Sequence, residues 1–336
     1  MGTTRLMHRR IIIALGLLGL VPSAFAAEEV HKRDEKGVFS LVFENDYFAN
    51  SDRDYTNGIR FGWASAEDTM PEWAHGIADY LPFPQNGRQR LAVTVGQSMF
   101  APQNLSRRDL VIGDHPYAGW LYGSFGIITD TDKTLDNLTL TLGVVGPMSL
   151  AEDAQKFVHR FTNGNQPEGW DHQLKNEAGF VLSYERKWRA IAEFSPFGIG
   201  ADVIPHVGVN LGTVNTDVST GATIRLGYDL PADYGPPRIR PSLAGSDFFI
   251  PSRELNGYLF VTVAGRAVLR NIFLDGNTFA SSPHVDKKLL VGSLQIGEAI
   301  TYGETRLSYT HVFMTKEYTT QKHPSAFGVI TLSHRF

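Results

Sequence analysis

The chain contains no cysteine in its 336 residues. That excludes disulfides, thiolate metal sites and cysteine nucleophiles. It has no basic excess either, with 31 Lys and Arg against 35 Asp and Glu, so it lacks the electrostatic footprint of a nucleic-acid binder. Beyond the first residues no run of 18 apolar residues occurs, so no helix is expected to cross a bilayer. No G-x-S-x-G is present, which leaves a serine hydrolase of that type unsupported.

What is present begins with an export signal. Arg5, Arg9 and Arg10 precede a mostly apolar stretch from Ile11 to Val21, and Ala24 and Ala26 form an A-x-A site. The pattern predicts a signal peptide over 1–26 and a mature domain over 27–336. The apolar stretch is too short for a spanning helix. Cleavage removes three basic and no acidic residues, leaving 28 basic against 35 acidic, a net of −7. The run from His31 to Lys36 reads as a solvated leader before the first strand.

The mature chain is a succession of alternating segments. In "DNLTLTLGVVG", Leu138, Leu140, Leu142 and Val144 share one face, with Asn137, Thr139, Thr141 and Gly143 on the other. In "ETRLSYTHVFM", Leu307, Tyr309, His311 and Phe313 alternate with polar or small residues, and the chain ends on Ile330, Leu332 and Phe336 at the same period. About twelve such segments start near residues 37, 56, 89, 117, 134, 177, 204, 219, 253, 287, 304 and 325. An even number of amphipathic strands is the signature of a closed antiparallel transmembrane β-barrel. Trp63, Tyr117, Trp120, Tyr122, Tyr258 and Tyr302 lie near strand ends, where aromatic girdles belong. The terminal Phe336 resembles the ending that outer-membrane proteins present to their assembly machinery.

An even count places both barrel ends in the periplasm, so connections after odd-numbered segments are extracellular. Asn45 and Asp46 then close the first strand at the outer rim, and Thr56 and Asn57 open the second beside them. If the pleat stays regular, Asp46 and Thr56 share the inward face, with Phe39, Leu41, Phe43 and Asn45 outward. Asp, Thr and Asn together offer the oxygen ligands of a hard cation. The connection near 147–176 carries a helix: Ser149 and Glu152 form a capping box, and Ala151, Ala154, Phe157, Val158 and Phe161 make an apolar stripe. His159 lies off that stripe, toward the flank of Gln155, where it is a candidate general base or a solvent-facing histidine. Arg107 and Arg108 form a cationic pair at the same rim, suited to phosphate or simply solvated. Asp114, His115 and Pro116 read as a turn. Inner connections at 67–88 and 230–252 are long and carry no motif.

Taken together, "FEND" (43–46), "DYTNG" (54–58), "GDHPYAGW" (113–120), "VGPMS" (145–149) and "HRF…W" (159–170) resemble the outer-membrane lipid A 3-O-deacylases. The resemblance covers essentially the whole mature chain. It implies a twelve-stranded barrel in the bacterial outer membrane, with an active site outside the wall beneath a loop helix, facing the outer leaflet. It implies lipid A, or lipopolysaccharide, as substrate and Ca2+ as cofactor. The family's catalytic histidine falls on His159, its Asn-Asp pair on Asn45 and Asp46, and its Thr on Thr56, with Asp46 and Thr56 at the metal. A basic residue near the lipid phosphate falls on Arg107. Where a family member has Glu six residues after the histidine, this chain has Asn165, and the nearest carboxylate is Glu168. His115 stands where the family pattern has Arg. Two alternatives remain at this stage: a non-catalytic barrel, and a Ser-His phospholipid acyl hydrolase using Ser149 or Ser106.

Overall fold

The structure, a computed structural model, describes residues 33–46, 54–81, 83–84, 86–162, 166–194, 199–231, 233–235, 247–251 and 254–336. The expected signal peptide lies outside the described residues. Twelve antiparallel strands close into a barrel: β1 (Val38–Asn45), β2 (Asp54–Ala64), β3 (Arg88–Ala101), β4 (Ala118–Asp130), β5 (Thr134–Val145), β6 (Glu177–Trp188), β8 (Ile199–Gly212), β9 (Asn215–Tyr228), β10 (Leu255–Asn271), β11 (Leu290–Tyr302), β12 (Thr305–Met314) and β13 (Ser325–Arg335). β1 pairs with both β2 and β13, and β6 pairs with β8, so the sheet closes on itself. A two-residue strand, β7 (Glu193–Phe194), pairs with the start of β8 outside the twelve. Closure pairs each strand on both sides over most of its length, as a sheet bordering lipid requires, with β7 meeting β8 beyond the end of its pairing with β6.

Alternation sets the two surfaces. Phe39, Phe61, Val95, Phe125, Leu142 and Leu259 project outward and are exposed, forming an apolar belt. The inward residues mix an apolar cluster, with Val42, Phe100, Val181, Val312 and Phe327, with many polar and charged side chains. The charged ones need internal partners because a buried charge is costly unless paired. The inner connection from β9 to β10 supplies them. Its Asp233 accepts from Arg225 and from Arg306 at 2.8 Å, and its Asp247 accepts from Arg60 at 2.9 Å. Phe248 and Phe249 lie under Arg90 and Arg306, at 5.2 and 4.6 Å from ring centre to guanidinium carbon. Tyr234 donates to Asp130 at 2.6 Å. Burial, then the Asp130 carboxylate, push its phenol pKa far up. This connection is thus a plug in the inner half of the lumen.

The plug corrects the girdle expectation in part. Trp63 and Tyr302 lie on the outward face, but Trp120, Tyr122 and Tyr258 point inward, Trp120 stacking on Tyr122 at 4.5 Å. Tyr117 is buried beneath an outer connection. The leader is also not simply solvated. Asp34 is buried and accepts from Arg90 at 2.6 Å and from Arg335, tying the entry of β1 to the exit of β13. Burial pushes its carboxyl pKa up, yet the two guanidiniums outweigh that and hold it below the ordinary value.

Two helices lie on the outside of the wall. α1 (Glu72–Ala78) belongs to the inner connection after β2, and α2 (Ala151–Thr162) to the outer connection after β5. A third, one-turn helix, α3 (Ile272–Asp275), follows β10, and its Phe273 stacks on Phe100 inside the lumen at 4.1 Å.

Candidate active site

The register draws a row across the outer rim. Asn45 of β1 faces Asn57 of β2, Asn57 faces Met99 of β3, and Met99 faces Gly119 of β4. In the other direction Asn45 faces Gly328 of β13, which faces His311 of β12. Residues directly opposite in a ladder share a face, so this row belongs to the outward surface. Asp46, one residue on, is 2 % exposed. A bulge interrupts β2 between Tyr55 and Asn57, so two residues oppose Phe100 of β3. The regular pleat assumed for Thr56 therefore does not reach it: Thr56 is the extra residue of the bulge. Asn165 lies outside the described residues.

α2 rests on this row. A 3-10 turn, Pro147–Ser149, leads into it through Gly146, whose φ of 95° and close approach to the Lys175 backbone leave no room for a side chain. A Cβ on Gly119 would collide with Ser149 Oγ and Ala151 Cβ. That glycine is therefore the seat of the helix. Ser149 Oγ donates to Gly146 O at 2.6 Å, and Gln97 Nε2 donates to Ser149 O at 2.6 Å. The expected capping box does not form, because Ser149 is used in seating the turn. Glu152 instead binds Lys156 at 2.6 Å and accepts from Gln173 at 3.3 Å. The hydrogen bond to Glu152 raises the Lys156 pKa. Ser149 is fully buried, which removes it as a presented nucleophile.

Only the first half of the apolar stripe read from sequence, Ala151 and Ala154, meets the wall. Phe157 is 57 % and Val158 39 % exposed, while Ala151 and Gln155 are buried. Gln155 accepts from Trp170 Nε1 at 2.8 Å, and Trp170 packs on Tyr117 with centroids 4.8 Å apart. His159, four residues beyond Gln155, is half-buried, not on the solvent face. The helix packs on β4 and then β3. A rise of about 1.5 Å per residue carries His159 about 12 Å beyond Ala151, or two to three strand spacings of about 4.8 Å. An axis laid across the strands in that direction would bring His159 to the level of β2 and β1, where Asn57 and Asn45 stand.

Above α2, Glu168 N donates to Leu105 O at 2.9 Å, and Glu168 lies 3.6 Å from Arg108 on the open surface. Arg107 is exposed in the same loop. His115 is a lumen-capping residue: it is buried, parallel to the Phe100 ring at 5.5 Å, with Nδ1 2.7 Å from Pro116 O. His311 escaped attention in the sequence because it reads as one more outward strand residue. Only the register shows it two strands from Asn45.

For a hard cation the donors of Asp46 and Asn45 are of the right kind, being oxygen. Among the described residues no three His, Asp or Glu converge on one point, so further donors would have to come from neighbouring positions such as Thr56.

The family model of outer membrane protein LpxR matches residues 11–336. The chain belongs to this family. Among solved structures it is similar to LpxR from Salmonella typhimurium, 19 % identical over 89 % of this chain and 100 % of that one, with a TM-score of 0.73. Weaker likenesses include the β domain of the Bordetella autotransporter BrkA, at 11 % identity over 90 % and 99 % with a TM-score of 0.44. The translocator domain of NalP from Neisseria meningitidis follows at 12 % over 91 % and 90 %, TM-score 0.33. No curated protein matches. As a member of the LpxR family, which is the lipid A 3-O-deacylase family, the chain is an outer-membrane barrel. The apolar belt is its lipid-facing surface, and the row from Gly119 to His311 lies at the outer-leaflet end of that surface.

Proposed function

We propose that the chain is a calcium-dependent hydrolase that removes the ester-linked 3-position acyl chain of lipid A in the outer leaflet. The observation that supports this reading is a half-buried histidine on a helix that packs on β4 and β3 of the lipid-facing wall, beside the rim row that includes Asn45. His159 takes a proton from water as the water oxygen attacks the ester carbonyl. The Asn45 amide donates to the developing oxyanion. The tetrahedral adduct then breaks its bond to the sugar oxygen, and His159 returns the proton there, releasing a fatty acid and a free 3-hydroxyl. Asp46 and Thr56 would hold calcium, which when bound supplies Lewis-acid polarisation of the carbonyl. Arg107, exposed in its outer connection, would meet a lipid phosphate. In this scheme Asn165 and Glu168 would act on the substrate side and not in the proton transfer.

The test is mass spectrometry of lipid A from cells expressing the chain, with and without calcium, beside His159→Ala and His311→Ala. Loss of one 3-position acyl group that needs calcium and His159 supports the assignment. Loss of activity in His311→Ala alone moves the base to the second histidine. Unchanged lipid A from a correctly folded barrel in calcium sinks the deacylase and leaves the non-catalytic barrel.

A further inference from the structure

We propose that the inner connection after β2 is a second saddle, which binds phospholipid of the periplasmic leaflet through Trp73, Ile77 and Tyr80. The proposal rests on the outer-membrane barrel itself and is independent of the catalytic reading.

The segment from Pro71 to Leu81 divides into three stripes, each stepping by three and four residues. Ala74, Ala78 and Leu81 form the first. Ala74 and Ala78 are buried, and with Leu81 they pack against Leu91 and Ile127, with Trp63 and Leu138 beside them. All four of those wall residues project outward from β2, β3, β4 and β5. The helix therefore lies against the lipid-facing side of the barrel, not beneath its mouth. Glu72, His75 and Asp79 form the second stripe. His75 Nδ1 meets Gln89 Oε1 at 3.2 Å. Gln89 is the second residue of β3, nearer the periplasmic end than Leu91, so this polar flank is turned toward the periplasm. Trp73, Ile77 and Tyr80 form the third stripe, on the opposite flank. They are 57, 47 and 92 % exposed, and that flank faces the middle of the membrane.

The exposed stripe is thus continuous with the apolar belt of Val95, Phe125 and Leu140 above it. Trp and Tyr at this level are the residues that settle at a bilayer interface. Charge attraction is not the cause of binding. The stretch 65–81 has Glu67, Asp68, Glu72 and Asp79 and no Lys or Arg, so anionic headgroups would be repelled. The binding chemistry is insertion of an apolar flank at the boundary of acyl chain and headgroup, for which a zwitterionic phospholipid suffices.

The absence of cysteine makes the test direct. Single variants Trp73→Cys, Ile77→Cys and Tyr80→Cys, with Glu72→Cys and Asp79→Cys for comparison, are spin-labelled and the barrel is reconstituted into phosphatidylcholine–phosphatidylethanolamine vesicles. Heat-modifiable gel mobility checks folding of each. The labels at 73, 77 and 80 are expected to relax preferentially with oxygen and those at 72 and 79 with a water-soluble nickel chelate, the contrast persisting in high salt. Equal chelate access at all five positions overturns the proposal, since the helix then lies in water. Exclusion of both reagents from 73 and 77 also overturns it, because a protein surface or a second copy then covers the stripe. A contrast that vanishes in high salt refutes apolar insertion.

Discussion

Gly119→Ala should uncouple the site from the barrel. The added Cβ would overlap both Ser149 Oγ and Ala151 Cβ. Carbon atoms rest at about 3.5–4.0 Å, so relief requires the first turn of α2 to lift by about 1 Å or more. Overpacking of this kind costs about 1–3 kcal/mol. The strands beneath are fixed on both sides by ladders, so the helix yields rather than the wall. A displacement of about 1 Å at a reacting group costs about 100-fold in rate. The variant is therefore expected to retain the gel mobility and thermal transition of a folded barrel while its lipid A deacylation falls by about that factor. Gly123→Ala is the control: it lies on the same outward face of β4, and its added Cβ would meet Thr94 O at 3.7 Å, an ordinary contact. Full activity in Gly119→Ala, or equal loss in both variants, would refute the claim that this glycine seats the helix proposed to carry the general base.

Asp34 gives an acid signature. Its folded pKa lies below the usual 3.8, so its stabilising effect is complete above that value and is lost as pH falls through the lower, folded one. Asp34→Asn should flatten the decline of melting temperature below about pH 4; an unchanged slope removes Asp34 from the explanation. Asp233→Ala strips one partner from Arg225 and one from Arg306, both nearly inaccessible. Leaving such charges underpaired costs about 3–5 kcal/mol, to be read as a lower unfolding midpoint in urea, and an unmoved midpoint counts against the plug as a stabilising element. Trp170→Phe leaves Gln155 Oε1 without its donor at a cost of about 1–3 kcal/mol. Limited proteolysis of 166–175 should then accelerate, and wild-type resistance would show that the bond does not hold the loop.

The strands were legible because period-two alternation survives wherever one face meets lipid and the other a polar lumen. Eleven of the twelve starts fall within four residues of expectation. The exception is β8, expected near 204 and beginning at Ile199. Pro205 obscured it, since proline is foreign to paired strand interiors. Here it sits just below His206, where the recorded pairing with β6 stops. The plug was illegible for a different reason. Asp233 and Asp247 look like loop residues; Arg225 is a single inward arginine on the adjoining β9, and Arg60 and Arg306 are single inward arginines on distant strands. Only closure of the barrel brings them together. The rim was half legible: the Asn45–Asn57 facing follows from topology, whereas the bulge at Thr56 needs the register.

The misread second half of the α2 stripe, Phe157 and Val158, has a general cause. A helix on a soluble protein turns its apolar side to the core because the other side meets water. A helix on a lipid-facing wall meets hydrocarbon on its open flank, so the preference for the wall disappears. Small and polar residues then meet the wall, as Ala151 and Gln155 do, and Phe157 faces out. For a lipid A hydrolase this inversion has a use. Moving an acyl chain from the bilayer into water costs about 0.8 kcal/mol per methylene, and the described lumen is occupied by buried side chains, Asp233, Asp247 and Phe249 in its inner half and Phe100 and Phe273 further out. A site between helix and outer wall leaves the chains in the leaflet and asks only the ester to approach polar groups. The same placement removes bulk water from around Asn45 and Asp46, where a hydrogen bond to a developing oxyanion is stronger than in solvent. On this argument Phe157→Asp, which makes the lipid-facing flank of α2 polar without touching the wall, should impair deacylation of membrane-embedded lipid A far more than of short-chain esters in solution. Equal losses on both substrates would show that the flank does not serve contact with the leaflet.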